Sequence, residues 1–224
     1  MDRKKRMLGD NGGRNLTGRH HTERNITGRN VTAFQICLVA MAVCTNLVGG
    51  QIALLLRLPI YLDSIGTILI GALLGPFYGM LPNLLSGVIM GMTVDIYSLY
   101  FAPVGMITGF LSGLVFQNGF CKKNFCRRGL LAALFVTVPG TIVSSVICAV
   151  LFGGITSSGS TILVQLLAKT PLGMTASVFA VQILTDYLDR AISLFAVVSL
   201  LAVLPEELKR RLKGKAAFEG RAAV

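Results

Sequence analysis

The chain has 224 residues, 53% of them hydrophobic and 14% charged, with a mean hydropathy of +0.70 and a formal net charge of +11. Soluble domains carry about 25% charged residues, so this composition excludes an ordinary soluble domain and points to a polytopic, all-α membrane protein. Eighteen of the 21 Lys and Arg lie before residue 30, between 122 and 128, or after Leu208; basic clusters confined to ends and one loop mark cytoplasmic segments and argue against a nucleic-acid partner.

Residues 1–30 are polar and repetitive, with Arg-Asn-aliphatic-Thr recurring at Arg14–Thr17, Arg24–Thr27 and Arg29–Thr32. A disordered basic tail is expected, with no apolar segment of the kind a cleavable signal peptide carries. Asn15, Asn25 and Asn30 match the glycosylation pattern only formally, since the arginines place them on the cytoplasmic side. His20 and His21 read as solvated tail residues. The membrane domain then spans 31–205, and 206–224 form a second basic tail.

Six crossings are expected within that domain: Val31–Gly49, Ile60–Leu74, Phe77–Val94, Phe101–Gln117, Leu130–Phe152 and Met174–Leu204. Asn46 and Gln51 mark the far end of the first. The second is brief and begins irregularly, and Gly75-Pro76 turns the chain into the third. Asp95–Tyr100 reads as a polar link. A short amphipathic helix is expected over Thr161–Ala168. An even count puts both termini, and with them all eighteen clustered positive charges, on the cytoplasmic side.

Small residues repeat at four-residue spacing: Gly71, Gly75 and Gly79, then Gly87 and Gly91, then Gly105, Gly109 and Gly113. Such rows let helix backbones approach closely in lipid. In the first span, Ala33 with Cys37 and Ala40 with Cys44 supply two more small pairs. The five cysteines form no metal-ligand pattern, and no metal or cofactor is expected.

Polar residues inside apolar runs carry the functional reading, because unpaired polar groups in hydrocarbon are costly and must face protein or a cavity. Gln182, Asp186 and Asp189 are spaced four and three apart on one helical face, with Arg190 a turn beyond Asp186. Asp186 and Arg190 are expected to pair at i, i+4, leaving Asp189 for Asn83 or a hydroxyl of Thr141, Ser144 or Ser145; this set reads as a structural ion pair. Gln182 and Asp186 also reach towards a ligand cavity. Asp63 with Tyr61 and Ser64, and Asp95 with Tyr97 and Tyr100, lie near the same outer face. Asp186 and Asp189 equally suit a proton relay in a standalone secondary transporter. No P-loop signature and no catalytic set is present, which leaves a membrane enzyme or sensory domain the weakest alternative.

The segments LPIYLDSIGTILIGALLGPFYGMLPNLLSG, PGTIVSSVICAVLFGGITSSGS and VQILTDYLDRAISLF together resemble the substrate-binding S components of energy-coupling factor (ECF) transporters. The resemblance runs from about Ala33 to Pro205. It implies six transmembrane helices with cytoplasmic termini and a site near the outer face, built from the later helices and the first link. It also implies a separate partner module, a transmembrane coupling protein with two ATPases, against which the subunit topples to deliver a water-soluble vitamin or related nutrient. Ligand candidates are Asp63, Asn83, Gln182 and Asp186, with Tyr61, Tyr97 and Tyr100 at the rim. Family members carry alanines four apart on the first helix where the coupling protein docks; here Ala33-Cys37 and Ala40-Cys44 keep the spacing but depart from the pattern, with cysteine at the second position of each pair.

Overall fold

The computed structural model describes residues 33–118, 125–154, 157, 159–171 and 173–205. The two expected tails, with their Arg-Asn repeats and histidines, lie outside the described residues, as do Cys121 and most of the basic loop. The described residues form seven helices and no strand: α1 (Ala33–Leu55), α2 (Ile65–Leu74), α3 (Pro76–Thr93), α4 (Ile96–Gln117), α5 (Phe125–Phe152), α6 (Ser160–Leu167) and α7 (Gly173–Val203). Among them, Ala33–Leu55, Ile96–Gln117 and the Arg128–Phe152 part of α5 are long and apolar enough to cross a bilayer.

The arrangement of polarity is that of a membrane protein. Ile36, Met41 and Val48 on α1, Leu131, Phe135 and Val146 on α5, and Phe195 and Val203 on α7 are exposed, whereas Asn46, Asn83, Gln182, Asp186, Asp189 and Arg190 are buried. Water would reverse that preference; a hydrocarbon surround enforces it.

Helix α2 packs against α1, α3, α4 and α7. Ile70, Leu73 and Leu74 meet Val39, Ala42 and Val43 of α1 on one side, and Ile68 meets Ala133, Leu194 and Val197 on the other. Gly75, at φ 97°, adopts a conformation that side chains rarely enter, closes α2 with its N–H on Gly71 O (3.1 Å), and starts α3 with Pro76 at the first helical position.

The glycine rows are internal. A Cβ on Gly109 would strike the carbonyl of Gly79, one on Gly71 would come within 2.7 Å of Ser112 Oγ, and one on Gly91 within 2.5 Å of Leu99 Cβ. These contacts bring α2, α3 and α4 together at backbone distance.

Four boundaries differ from expectation, among them the start of α5, at Phe125 rather than Leu130. Helix α1 runs on to Leu55, past Asn46, because the amide of Asn46 is inside the bundle and satisfied there. Helix α2 starts only at Ile65, so residues 56–64 are a non-helical link. Helix α4 starts at Ile96, because the polar link contracts to Asp95, whose extended backbone (φ −143°) precedes the first turn and whose carbonyl accepts the Ser98 N–H at 3.0 Å. The expected short helix is present as α6.

Candidate functional site

One end of the bundle gathers the 56–64 link, Asp95 and the α5–α6 connection. Gly159 donates its N–H to Leu58 O (3.2 Å), and Ser157 donates its hydroxyl to Asp95 Oδ2 (2.8 Å), joined there by Ser98 (3.1 Å). Phe152 at the end of α5 receives Tyr97, Tyr100 and Phe101 of α4 at centroid distances of 4.7, 5.3 and 6.2 Å.

The link is fastened from below by α7. Asp189, 1% exposed, accepts the Leu62 N–H on Oδ1 (2.8 Å) and, on Oδ2, the Ser64 hydroxyl (3.2 Å) and Arg190 Nη1 (2.8 Å). Leu62 and Arg57 both hold positive φ, 49° and 48°, a conformation uncommon outside glycine. Such backbone persists where surrounding contacts over-determine it, and the Asp189 bond is one such contact. At the neighbouring helix start, Asn46 of α1 accepts the Gly66 N–H (2.8 Å) and donates to Thr67 Oγ1 (2.8 Å). It thereby satisfies an amide of α2's first turn that no intrahelical carbonyl reaches.

The expected i, i+4 pairing of Asp186 with Arg190 is replaced by one between adjacent residues. Arg190 bonds Asp189, and its Nη2 donates to Thr108 Oγ1 of α4 (3.3 Å). Asp186 is held by α5 instead: Thr141 donates to Oδ2 at 2.9 Å, and Ser144 Oγ lies 3.1 Å from the same oxygen. The reason is rotational. The Asp186 side chain points along the α5–α7 seam, and the α5 hydroxyls expected for Asp189 are already within its reach. Asn83, also considered for Asp189, reaches the Asp63 carbonyl (3.4 Å). Gln182 Oε1 accepts from Ser144 (2.8 Å) or Ser145 (3.1 Å).

Two cavities adjoin above this network. The deeper, of about 40 Å³, lies among Tyr61, Asp63, Asn83, Gln182, Asp186 and Arg190; the outer, of about 50 Å³, reaches Asp95, Tyr97 and Ser98. Both share Tyr61, Asp63, Asn83 and Phe101 as walls. Tyr61, Asp63, Asn83, Tyr97, Gln182 and Asp186, six of the seven ligand candidates, therefore line this pair of adjoining cavities. Tyr100 lines neither cavity; it is 46% exposed and turned outward.

Phe101, Ser98 and Ser144 line the space and were not singled out as ligand groups. Placing the helix start at Ile96 supplies the signal for the first: Tyr97 and Phe101 are then four apart on one face, with Tyr100 rotated off it. On α1, Ala33, Cys37, Ala40 and Cys44 are all exposed along one outward face. No group of metal-ligating side chains occurs among the described residues. The chain matches no protein family, no curated protein and no solved structure in the comparisons made.

Proposed function

We propose that this protein is the substrate-binding membrane subunit of an ECF-type importer, resident in a prokaryotic cell membrane with both termini cytoplasmic. In this reading all six expected spans cross or enter the bilayer. The short α2, about 15 Å at 1.5 Å per residue, completes its crossing through the 56–64 link. The subunit captures a water-soluble vitamin or related micronutrient at the outer end, and a coupling protein with two ATPases drives delivery by toppling. The observation that carries the proposal is the convergence of Tyr61, Asp63, Asn83, Tyr97, Gln182 and Asp186, from a link and three helices, on two adjoining cavities that share walls. The exposed small-residue face of α1 supports docking of the coupling protein.

Drug-sized ligands occupy about 300–1,000 Å³, so the two cavities as they stand admit a head group, and a whole vitamin enters only when the 56–64 link swings aside. Mass identification of a molecule retained through purification tests capture. Uptake that requires a co-expressed ECF module tests the transport role; a retained nutrient with module-independent uptake would sink the importer assignment.

A standalone proton-coupled transporter is the second reading. Thr137 and Ser193 keep buried hydroxyls without partners among the described residues, and with Thr141 and Asp186 they mark polar positions along α5 and α7. Uptake in proteoliposomes driven by a pH gradient alone would favour it.

A further inference from the structure

Three side chains, each more than nine-tenths buried, turn a polar atom towards the deeper cavity with no partner among the described residues. Asp186 (7% exposed) receives the Thr141 hydroxyl on Oδ2, which leaves Oδ1. Gln182 (6%) receives Ser144 and Ser145 on Oε1, which leaves the two hydrogens of Nε2. Asn83 (5%) donates from Nδ2, which leaves Oδ1. These atoms are open to the void: among the described residues, the side-chain polar atoms both sealed and unpartnered are Thr137 Oγ1 and Ser193 Oγ. Buried polar groups are overwhelmingly hydrogen-bonded, so two acceptors and a donor converging on one void define the complement of a bound group.

Water would satisfy those bonds but not the charge. Asp63, Asp95 and Asp186 face the two cavities, and among the described residues that wall them Arg190 is the one cation. Arg190 is already matched by Asp189, which lines neither cavity. The hydrogen bonds at the other three carboxylates come from hydroxyls, Ser98 and Ser157 at Asp95, Thr141 at Asp186, and Ser64, shared with Asp189, at Asp63, and a hydroxyl brings no counter-charge. Carboxylates at membrane depth call for a counter-charge, and the faces of Tyr61, Tyr97 and Phe101 attract cations.

The geometry points to a positively charged, nitrogen-bearing organic ligand: a protonated amine, amidine or amino-heterocycle whose N–H groups reach Asp186 Oδ1 and Asn83 Oδ1 and which offers an acceptor to Gln182 Nε2. This inference rests on the capture reading and adds the ligand's charge class. The cationic head occupies the deeper cavity, and the remainder of the molecule extends past Asp63 towards Asp95.

Equilibrium titration of the purified full chain with three probes of one shape reads that class: benzamidine as cation, benzamide as neutral isostere, benzoate as anion, each to millimolar concentration. Benzamidine is expected to bind about tenfold or more tighter than benzamide, and benzoate not to bind. Asp186→Asn keeps an acceptor for Thr141 yet should erase the benzamidine preference; should that variant fail to fold, Asp63→Asn, at the half-buried junction of both cavities, is expected to reduce it. Equal binding of benzamidine and benzamide, preference for benzoate, or no binding by any probe overturns the cationic assignment. Capture is decided separately: a neutral or anionic nutrient identified by mass in the purified protein overturns this inference and leaves the capture reading standing.

Discussion

Leu62 and Asp189, 127 residues apart, are joined by a 2.8 Å hydrogen bond from a strained backbone amide to a buried carboxylate. Through it the link over the cavities is fastened to the most polar turn of α7. Asp189→Ala removes acceptors for Leu62, Ser64 and Arg190 together. Breaking a buried pair by deleting one partner costs about 3–5 kcal/mol, so thermal unfolding in detergent should show a large drop. Asp189→Ala/Arg190→Leu, which removes both charges of the pair, should recover part of it.

Asn46 is predicted to matter through α2 rather than through α1. Asn46→Ala strands the Gly66 amide and the Thr67 hydroxyl in an apolar setting, at a cost of about 1–3 kcal/mol. Hydrogen exchange should then rise at the first turn of α2 before it rises elsewhere, and uniform exchange would contradict the assignment.

Glycine rows set a steric contrast. Gly109→Ala drives a methyl into the Gly79 carbonyl, whereas Gly140→Ala meets its nearest atom, Val104 Cγ1, at 3.6 Å. The first should cost about 1–3 kcal/mol or prevent folding, as overpacking does. The second should be near neutral in the same unfolding assay.

On α4, Phe101→Ala should weaken binding of the retained ligand about tenfold, the effect of losing about 1.4 kcal/mol. Tyr100→Ala should leave binding unchanged, because its ring is outside both cavities. Isothermal titration on the two variants checks the pair.

Docking and capture are separable on α1. Ala40→Trp and Cys44→Trp enlarge an outward face that touches neither cavity. Ligand affinity should stay within about twofold while ATP-driven uptake with the partner module falls at least about tenfold; unchanged uptake would remove the docking assignment.

Helix positions were legible in the sequence because apolar runs broken by Gly75-Pro76 and by basic segments leave few other solutions. The cavity-lining positions of Asp63, Asn83, Gln182 and Asp186 were legible for a related reason: these residues are polar where hydrocarbon penalises polarity, so each had to meet protein or a void. Partner choice was not. Whether Arg190 takes Asp186 or Asp189 depends on a rotation of a few tens of degrees about α7 and on which α5 hydroxyls arrive first. Tyr100 was misplaced and Phe101 passed over for one cause, since a helix start shifted from Phe101 to Ile96 reassigns every side chain of that turn to a new face.

The glycine contacts among α2, α3 and α4 have a mechanical corollary. Backbones already touching can neither compress nor slide without collision, so that triplet behaves as a stiff wall. The seam between α5 and α7 is stitched by small hydroxyls, of which Ser144 has both Gln182 and Asp186 in reach, and such a stitch exchanges partners at little enthalpic loss. Compliance of the bundle is thus concentrated at the α5–α7 seam rather than in the wall of α2, α3 and α4.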